Sequence, residues 1–280
     1  MDTPLASRAL NTLGHPGRLA TFRLLMRFAP QGVRPTEIAT ALDVKQNTLS
    51  HHLSDLVGCG LAKVKRDGRS LFYSVNLEVA EQLLGYLALD VGRARPDLLT
   101  QLRTTPVARC GAAMNVLFIC SRNSARSIIA ETVLRDLANN SSVEIHAHSA
   151  GTLPNSTLNP GALSILAHNG HDTTNLRAKH ISEVTHPDAP TFDFVFTVCD
   201  AAAARDCAPW PHQPLTAHWG VPDPVQATGS DAAKTMAFAH TYAALRHRIT
   251  AFTQLPFAAL DRLSLQTHID AIGIDTPTQG

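Results

Sequence analysis

The sequence predicts two domains: an N-terminal domain that is mainly α-helical and a C-terminal α/β domain built on a parallel sheet. Three observations predict this. A chain of 280 residues with 44% hydrophobic content is long enough for two ordinary cores. Hydrophobic periodicity changes at Asn115: short amphipathic helical patterns and one hairpin fill residues 3–95, whereas Val116-Leu117-Phe118-Ile119 is the continuous apolar run of a strand covered on both faces. Charge divides at nearly the same place. Residues 1–105 carry 13 Lys and Arg against 9 Asp and Glu, a surplus of +4, which leaves −3 for the remainder of a chain with net charge +1. The basic half points toward a nucleic-acid partner. The expected limits are a first domain over 1–96, a linker over 97–112, a second domain over 113–258 and a tail over 259–280.

In the first domain, residues 35–42 read as a short helix with Ile38, Ala39 and Leu42 on one face, and Asp43-Val44-Lys45 as a turn. A second helix over 46–57 places Leu49, Leu53 and Leu56 inward. Gln46, Asn47, Thr48, Ser50, His51 and Ser54 are left for solvent, where such groups can bond base edges or phosphates in a major groove. Residues 61–75 alternate around Asp67-Gly68 as a hairpin. Its basic tip, Lys65, Arg66 and Arg69, suits phosphates. A small helical dimerisation domain with a solvated hairpin is the alternative reading.

These residues, with Leu13-Gly14-His15-Pro16-Gly17-Arg18-Leu19, resemble the ArsR family of winged helix-turn-helix repressors across about residues 5–95. The resemblance implies a homodimer formed through this domain, operator DNA as partner, and release of DNA when a metal or metalloid binds. Cysteines of the arsenite-sensing members would fall around residues 37–44, where this sequence has none. Cys59 reads as core, and Cys110, in the linker, is the better arsenite-sensor candidate.

In the second domain the strand over 116–119 is followed by a helix over 127–139, a strand over 143–147, a helix over 159–169, an apolar strand over 192–198 and a closing helix over 231–253. Between the first strand and helix lies Cys120-Ser121-Arg122-Asn123-Ser124-Ala125-Arg126-Ser127. A cysteine ending a buried strand, then five residues, then Arg-Ser opening a helix, converges loop amides and a helix N-terminus on one point, which binds an oxyanion and favours a thiolate. Arg126 adds a planar fork of donors. Ser127 is placed to bond the Cys120 sulfur and Asn123 to hold the loop in shape.

With His148-Ser149-Ala150-Gly151 and Asp223-Pro224, this loop resembles the low-molecular-weight protein tyrosine phosphatase fold across about residues 114–255. A phosphatase needs Cys120, Arg126 and the acid matched by Asp223. A reductase needs further thiols, and the run from Thr197-Val198-Cys199 through Cys207-Ala208-Pro209 to His218-Trp219-Gly220 looks like the thioredoxin-coupled arsenate reductases. The resemblance implies arsenate as substrate, a relay from Cys120 to Cys199 to Cys207, Asp223 as proton donor, no tightly bound cofactor, and thioredoxin or a similar thiol reductant as electron donor. Groups that bind potassium in some members are matched by Asn123, Glu131 and Ser149, but the aligned aspartate is Lys179, whose ammonium can replace the ion.

Five cysteines in a chain this long do not form a secreted disulfide framework, no stretch stays apolar for a membrane span, and the 14 histidines lack zinc spacing. No metal site is expected, and the cytoplasm is the expected compartment. Two alternatives stand beside the fused repressor and arsenate reductase: a phosphatase tethered to a winged helix, and a repressor whose second domain only senses an oxyanion.

Overall fold

The computed structural model describes residues 1–95, 113–139, 143–153, 156–204, 210 and 214–275. The expected linker, Cys110 and Cys207 lie outside the described residues. The chain divides into two compact units, with residues 1–95 in the first and residues 113–203 and 214–275 in the second.

The first unit runs α1 (Thr3–Leu13), α2 (Pro16–Arg27), α3 (Pro35–Leu42), α4 (Gln46–Gly58), β1 (Ala62–Asp67), β2 (Ser70–Val75) and α5 (Leu77–Gly85), which continues as a π-helical stretch, Tyr86–Val91. Leu24, Leu25, Ile38, Leu49, Leu53, Leu56 and Leu61 form its core. Asp43 takes a left-handed conformation, φ 50° and ψ 45°, at the end of α3. An aspartate tolerates this better than most residues, and it turns the chain sharply into α4. Arg18 of α2 bonds Asp55 of α4 at 3.1 Å, fixing the two helices together. The hairpin pairs Asp67 with Ser70, so its two-residue turn is Gly68-Arg69, with Gly68 at φ 56°. Glycine at the first central position suits the twist of a tight hairpin.

The second unit carries four parallel strands: β3 (Met114–Cys120), β4 (Ile145–Gly151), β5 (Phe194–Thr197) and β6 (Leu215–His218), in the spatial order β4-β3-β5-β6. Its helices are α6 (Arg126–Ala138), α7 (Pro160–His168), α8 (Asp200–Ala204), α9 (Asp231–Thr253) and α10 (Arg262–Ile274). Aromatic rings fill the core: Phe196 stacks on Trp219 at 3.8 Å between centroids, and Phe252 meets both edge-on. Strand order reverses between β3 and β5, so a crevice opens beyond their carboxyl ends, the place where open α/β sheets bind ligands.

Two expectations need correction. Residues 262–274, expected within a tail, form α10, capped by the Asp261 carboxylate on the Ser264 amide at 2.7 Å. Leu265 and Ile269, four residues apart, are fully buried, and the Trp219 indole donates to the Ile269 carbonyl at 2.9 Å. The apolar pair made this a packed helix. The strand expected over 143–147 instead runs to Gly151, because pairing with β3 continues through His148-Ser149-Ala150 to the Cys120↔Gly151 pair.

Candidate functional site

Cys120 ends β3, and Val198 donates from its amide to the Ile119 carbonyl at 2.9 Å just past β5. The strand pairing therefore brings the end of β5, with Cys199 two residues beyond it, to the start of the loop that Cys120 opens. Around Cys120 the loop closes as a ring of donors. The Asn123 amide donates to its sulfur at 3.0 Å, and the Ser127 hydroxyl lies 2.9 Å from it. Cys120 and Ser127 are both buried, so these bonds act with little competition from water.

Asn123 holds the loop. Its φ of 50° is left-handed, and its side chain is fully buried. The carboxamide donates to Ser127 Oγ at 2.9 Å and to Ser149 Oγ at 2.7 Å, while its oxygen accepts from the Lys179 amide at 2.7 Å. Because Ser127 accepts from Asn123, its own proton is free to point at the Cys120 sulfur. Behind Asn123, Ser149 donates to Glu131, and the Lys179 ammonium sits 2.8 and 3.1 Å from the two Glu131 oxygens. Asn123, Glu131 and Ser149 thus meet as the sequence suggested, with the Lys179 cation among them. Gly151 is required by the same packing: a Cβ there would stand 2.7 Å from the Arg122 carbonyl carbon and 2.8 Å from the Asn123 nitrogen.

Arg126 opens α6. Its guanidinium donates to Asp223 at 2.8 Å and to the Val221 carbonyl at 3.3 Å. The other Asp223 oxygen accepts from the Val225 amide at 3.1 Å. Ser121 and Ser124 are half-buried in the loop, Ala125 is buried and Arg122 is exposed. Cys199 is 2% exposed, beside the backbone amides of Ser121 and Ala202. Burial pushes the Cys199 thiol up, the neighbouring Cys120 adds to this, and Arg126 and the two amides oppose it. Cys120, Arg126, Cys199 and Asp223 therefore come together, while Cys207 lies outside the described residues. No group of three or more His, Cys, Asp or Glu side chains suited to a metal occurs among the described residues.

Sequence reasoning missed two contributors. Arg248 of α9 is 5% exposed and donates to the Trp219 and Gly220 carbonyls at 3.0 and 3.1 Å. Arg248 and Arg126 between them hold three successive carbonyls leading to Asp223. An arginine on the same helical stripe as Leu245, Ile249 and Phe252 was the available signal. The other is His218, whose ring bonds both Thr197 and Asp200.

In the first unit, Gln46, Asn47, Thr48, Ser50 and His51 are exposed along α4, and Lys65, Arg66 and Arg69 are exposed at the hairpin tip. Ser50 bonds back to the Gln46 carbonyl at 2.9 Å, and Arg66 to the Gly68 carbonyl at 3.3 Å. Cys59 is buried and bonds the Leu56 carbonyl, a core position.

A parallel sheet with a cysteine–arginine loop at its switch point defines an α/β fold built around a candidate oxyanion-binding thiol. Residues 115–264, more than half of the chain, match the family described as low molecular weight phosphotyrosine protein phosphatase, and the chain belongs to that family. Residues 15–64 match the bacterial regulatory proteins of the arsR family, so the first unit carries their helix-turn-helix. An arsenate reductase of Bacillus licheniformis is 31% identical over 144 residues, which cover 50% of this chain and 94% of that protein. One from Bacillus subtilis is 29% identical over 139 residues, covering 50% and 94%. Among solved structures, an arsenate reductase from Archaeoglobus fulgidus aligns with a TM-score of 0.36 at 23% identity, over 48% of this chain and 98% of that one.

Proposed function

We propose that the second unit reduces arsenate to arsenite by a cysteine relay and that the first unit is a metalloid-responsive DNA-binding repressor. The observation that carries the enzymatic reading is a second buried thiol, Cys199, close enough to Cys120 and Arg126 for their charges to act on it. A phosphatase has no use for a second thiol there.

In this reading the Cys120 thiolate attacks arsenic, with the loop amides and the Arg126 fork holding the oxygens. Arg126 must then share its guanidinium between arsenate and Asp223, which frees Asp223 to protonate the departing oxygen as water. Cys199 attacks the Cys120 sulfur, the sulfur–arsenic bond breaks, and arsenic keeps the electron pair and leaves as arsenite. Two thiols have become one disulfide, and arsenic has gained two electrons. Cys207 then attacks Cys199, regenerating Cys120, and a thioredoxin-like thiol reductant removes the second disulfide. This chemistry belongs in a reducing compartment, the cytoplasm. No potassium requirement is expected, because the Lys179 ammonium already faces Glu131.

For the first unit, α4 would enter the major groove and the tip of the hairpin would contact phosphates. Exposed Leu10 on α1, Leu84 on α5 and Leu89 and Val91 on the π-helical stretch, the last three at 62–66% exposure, favour a homodimer through these outer helices. Arsenite made by the second unit is the natural inducer, with Cys110 as its candidate ligand.

The decisive experiment supplies the full chain with arsenate, thioredoxin, thioredoxin reductase and NADPH. Arsenate-dependent NADPH oxidation is expected, abolished by Cys120→Ser, Cys199→Ser or Cys207→Ser. Wild-type protein that oxidises no NADPH with any thiol reductant yet hydrolyses an aryl phosphate would transfer the unit to the phosphatases.

A further inference from the structure

We infer that His218 is a positioning residue for Cys199: braced by Thr197, it fastens Asp200 and so fixes the bend from which the Cys199 thiol faces the Cys120 loop. The inference rests on the relay proposed above and extends it to a side chain that touches none of the reacting atoms.

The bend is short, and neighbouring backbone holds only its first residue: the Val198 amide donates to the Ile119 carbonyl at 2.9 Å and the Val198 carbonyl accepts from the Val221 amide at 3.3 Å. β5 ends at Thr197 and α8 begins at Asp200, so Val198 and Cys199 alone make the connection. α8 has five residues, too few for a helix to persist without outside support. A side-chain bracket supplies that support. His218 ends β6 in register with Thr197. Its Nδ1 lies 2.9 Å from Thr197 Oγ1, and its Nε2 lies 3.0 Å from Asp200 Oδ1. A carboxylate only accepts, so Nε2 carries a proton and donates to Asp200, while the threonine hydroxyl partners Nδ1. Asp200 therefore fixes a proton on Nε2, and Thr197 steadies the other side of the ring.

Two further features agree. The His218 side chain is 17% exposed and that of Asp200 86%, so the imidazole is a fixed post and the carboxylate is the group tied to it. The hydrogen bond from His218 is the main influence holding the Asp200 carboxyl below its ordinary range, ahead of the opposing effect of burial. Gly220 leaves room for the bond, since a Cβ there would stand 2.4 Å from His218 Nε2 and 3.1 Å from Asp200 Oδ1. The spacing of His218 and Gly220 around the core residue Trp219 thus has a physical reason. Beyond the bracket, Cys199 directly precedes Asp200, and its carbonyl accepts from the Ala202 and Ala203 amides of α8 at 3.1 and 3.0 Å. Loosening Asp200 would free the first turn of α8 and take the sulfur away from Cys120.

The test uses the full chain with two readouts. The first is alkylation of each cysteine by iodoacetamide, followed by peptide mass mapping. The second is the rate at which added arsenate produces a Cys120–Cys199 disulfide in the absence of reductant. In His218→Ala, Cys199 should alkylate about tenfold faster and the disulfide should form about tenfold more slowly, the scale of one lost hydrogen bond to a charged group. Cys120, read in the same digest, should alkylate at the wild-type rate. His218→Gln, whose amide can donate to Asp200, should recover most of both effects, and Asp200→Ala should reproduce His218→Ala. If His218→Ala does not fold, Asp200→Ala carries the same comparison from an exposed position. Wild-type alkylation of Cys199 in these variants, or equal acceleration at Cys120 and Cys199, overturns the inference. Wild-type protein that forms no disulfide with arsenate defeats the relay, while the alkylation rates still decide whether His218 holds Cys199.

Discussion

The Cys120 loop and the exposed face of α4 are both candidate binding surfaces, and they are built in opposite ways. Around Cys120 every group is held by another: Asn123 by Ser149 and Lys179, Ser127 by Asn123, and Arg126 by Asp223. On α4 and the hairpin tip, Gln46, Asn47, Thr48, His51, Lys65 and Arg69 are exposed and carry their donors into solvent. A site that stabilises charge as it develops gains from donors fixed beforehand. A surface that meets a flexible polyanion gains from several independent charges. Single substitutions should therefore act steeply and non-additively in the loop, and gradually and additively on the helix and hairpin.

Asn123 gives the largest expected effect. Asn123→Ala removes three side-chain hydrogen bonds and leaves in a left-handed conformation a residue without the short polar side chain that lets asparagine adopt it. Arsenate turnover should fall by about 10²-fold or more, with a loss of about 3–4 kcal/mol in urea unfolding of the second unit. Asn123→Gly accepts the same backbone and should recover stability more than turnover, which separates the conformation from the carboxamide. A loss of turnover below threefold in both variants would mean that the loop is not held as a unit.

The next effect concerns pH. Burial favours the neutral form of the Cys199 thiol, yet attack on Cys120 needs the thiolate. Because its titration is displaced upward, the reactive fraction grows through neutral and mildly alkaline pH. Arsenate-driven Cys120–Cys199 disulfide formation should thus rise by about tenfold per pH unit between 7 and 8.5. Quenched peptide mapping measures it, and a flat profile would show that the thiol leaves its buried setting before reacting.

The contrast also explains how much could be read in advance. The apolar run at Val116, the hairpin signal at Asp67-Gly68 and the closing helix over Asp231–Thr253 are local signals, and each produced its element, the hairpin turning one residue later at Gly68-Arg69. Of the candidate set, Cys120 and Arg126 were legible from loop chemistry and spacing, and Cys199 and Asp223 through the resemblance of the surrounding runs to arsenate reductases. What was not legible depends on long-range packing. β6 offers four residues of which only Leu215 is buried, a weak strand pattern. α10 became visible only once its Leu265 and Ile269 stripe had a sheet edge and Trp219 to cover. The bracket of Thr197, Asp200 and His218 joins residues 18 to 21 positions apart, and nothing in local periodicity pairs them.

For the exposed surface, Arg66→Ala with Arg69→Ala should weaken operator binding by about tenfold near 0.1 M salt. The slope of log affinity against log salt should fall by about 2, close to one unit for each phosphate no longer neutralised. Each single variant should give about half of that change. Binding measured by fluorescence anisotropy across a salt series tests both points, and an unchanged slope would remove the hairpin from the interface. Gln46→Ala or Asn47→Ala should instead alter sequence preference and leave the slope intact, since base-edge bonds release few counterions.

The smallest effect tests whether the first unit has any held polar group of the kind seen in the second. His52, on the inner side of α4, is 8% exposed. A Cβ at Gly17 would lie 2.6 Å from its Nε2, and its ring centroid lies 4.9 Å from that of His15. Burial lowers the His52 pKa, His15 and Arg18 lower it further, and Asp55 opposes them. A histidine depressed in the folded state binds its proton more readily when the chain unfolds. Stability from its neutral form is present above the unfolded value near 6.5 and is lost as pH falls below it. Urea midpoints of the first unit should therefore decline from pH 7 to pH 5, and His52→Gln should flatten the decline. If the slope survives that substitution, the acid sensitivity lies elsewhere, and α4 keeps its place through the apolar packing of Leu49, Leu53 and Leu56 and the Arg18–Asp55 pair. The contrast between a held loop and an unheld helix would then be sharper than His52 now makes it.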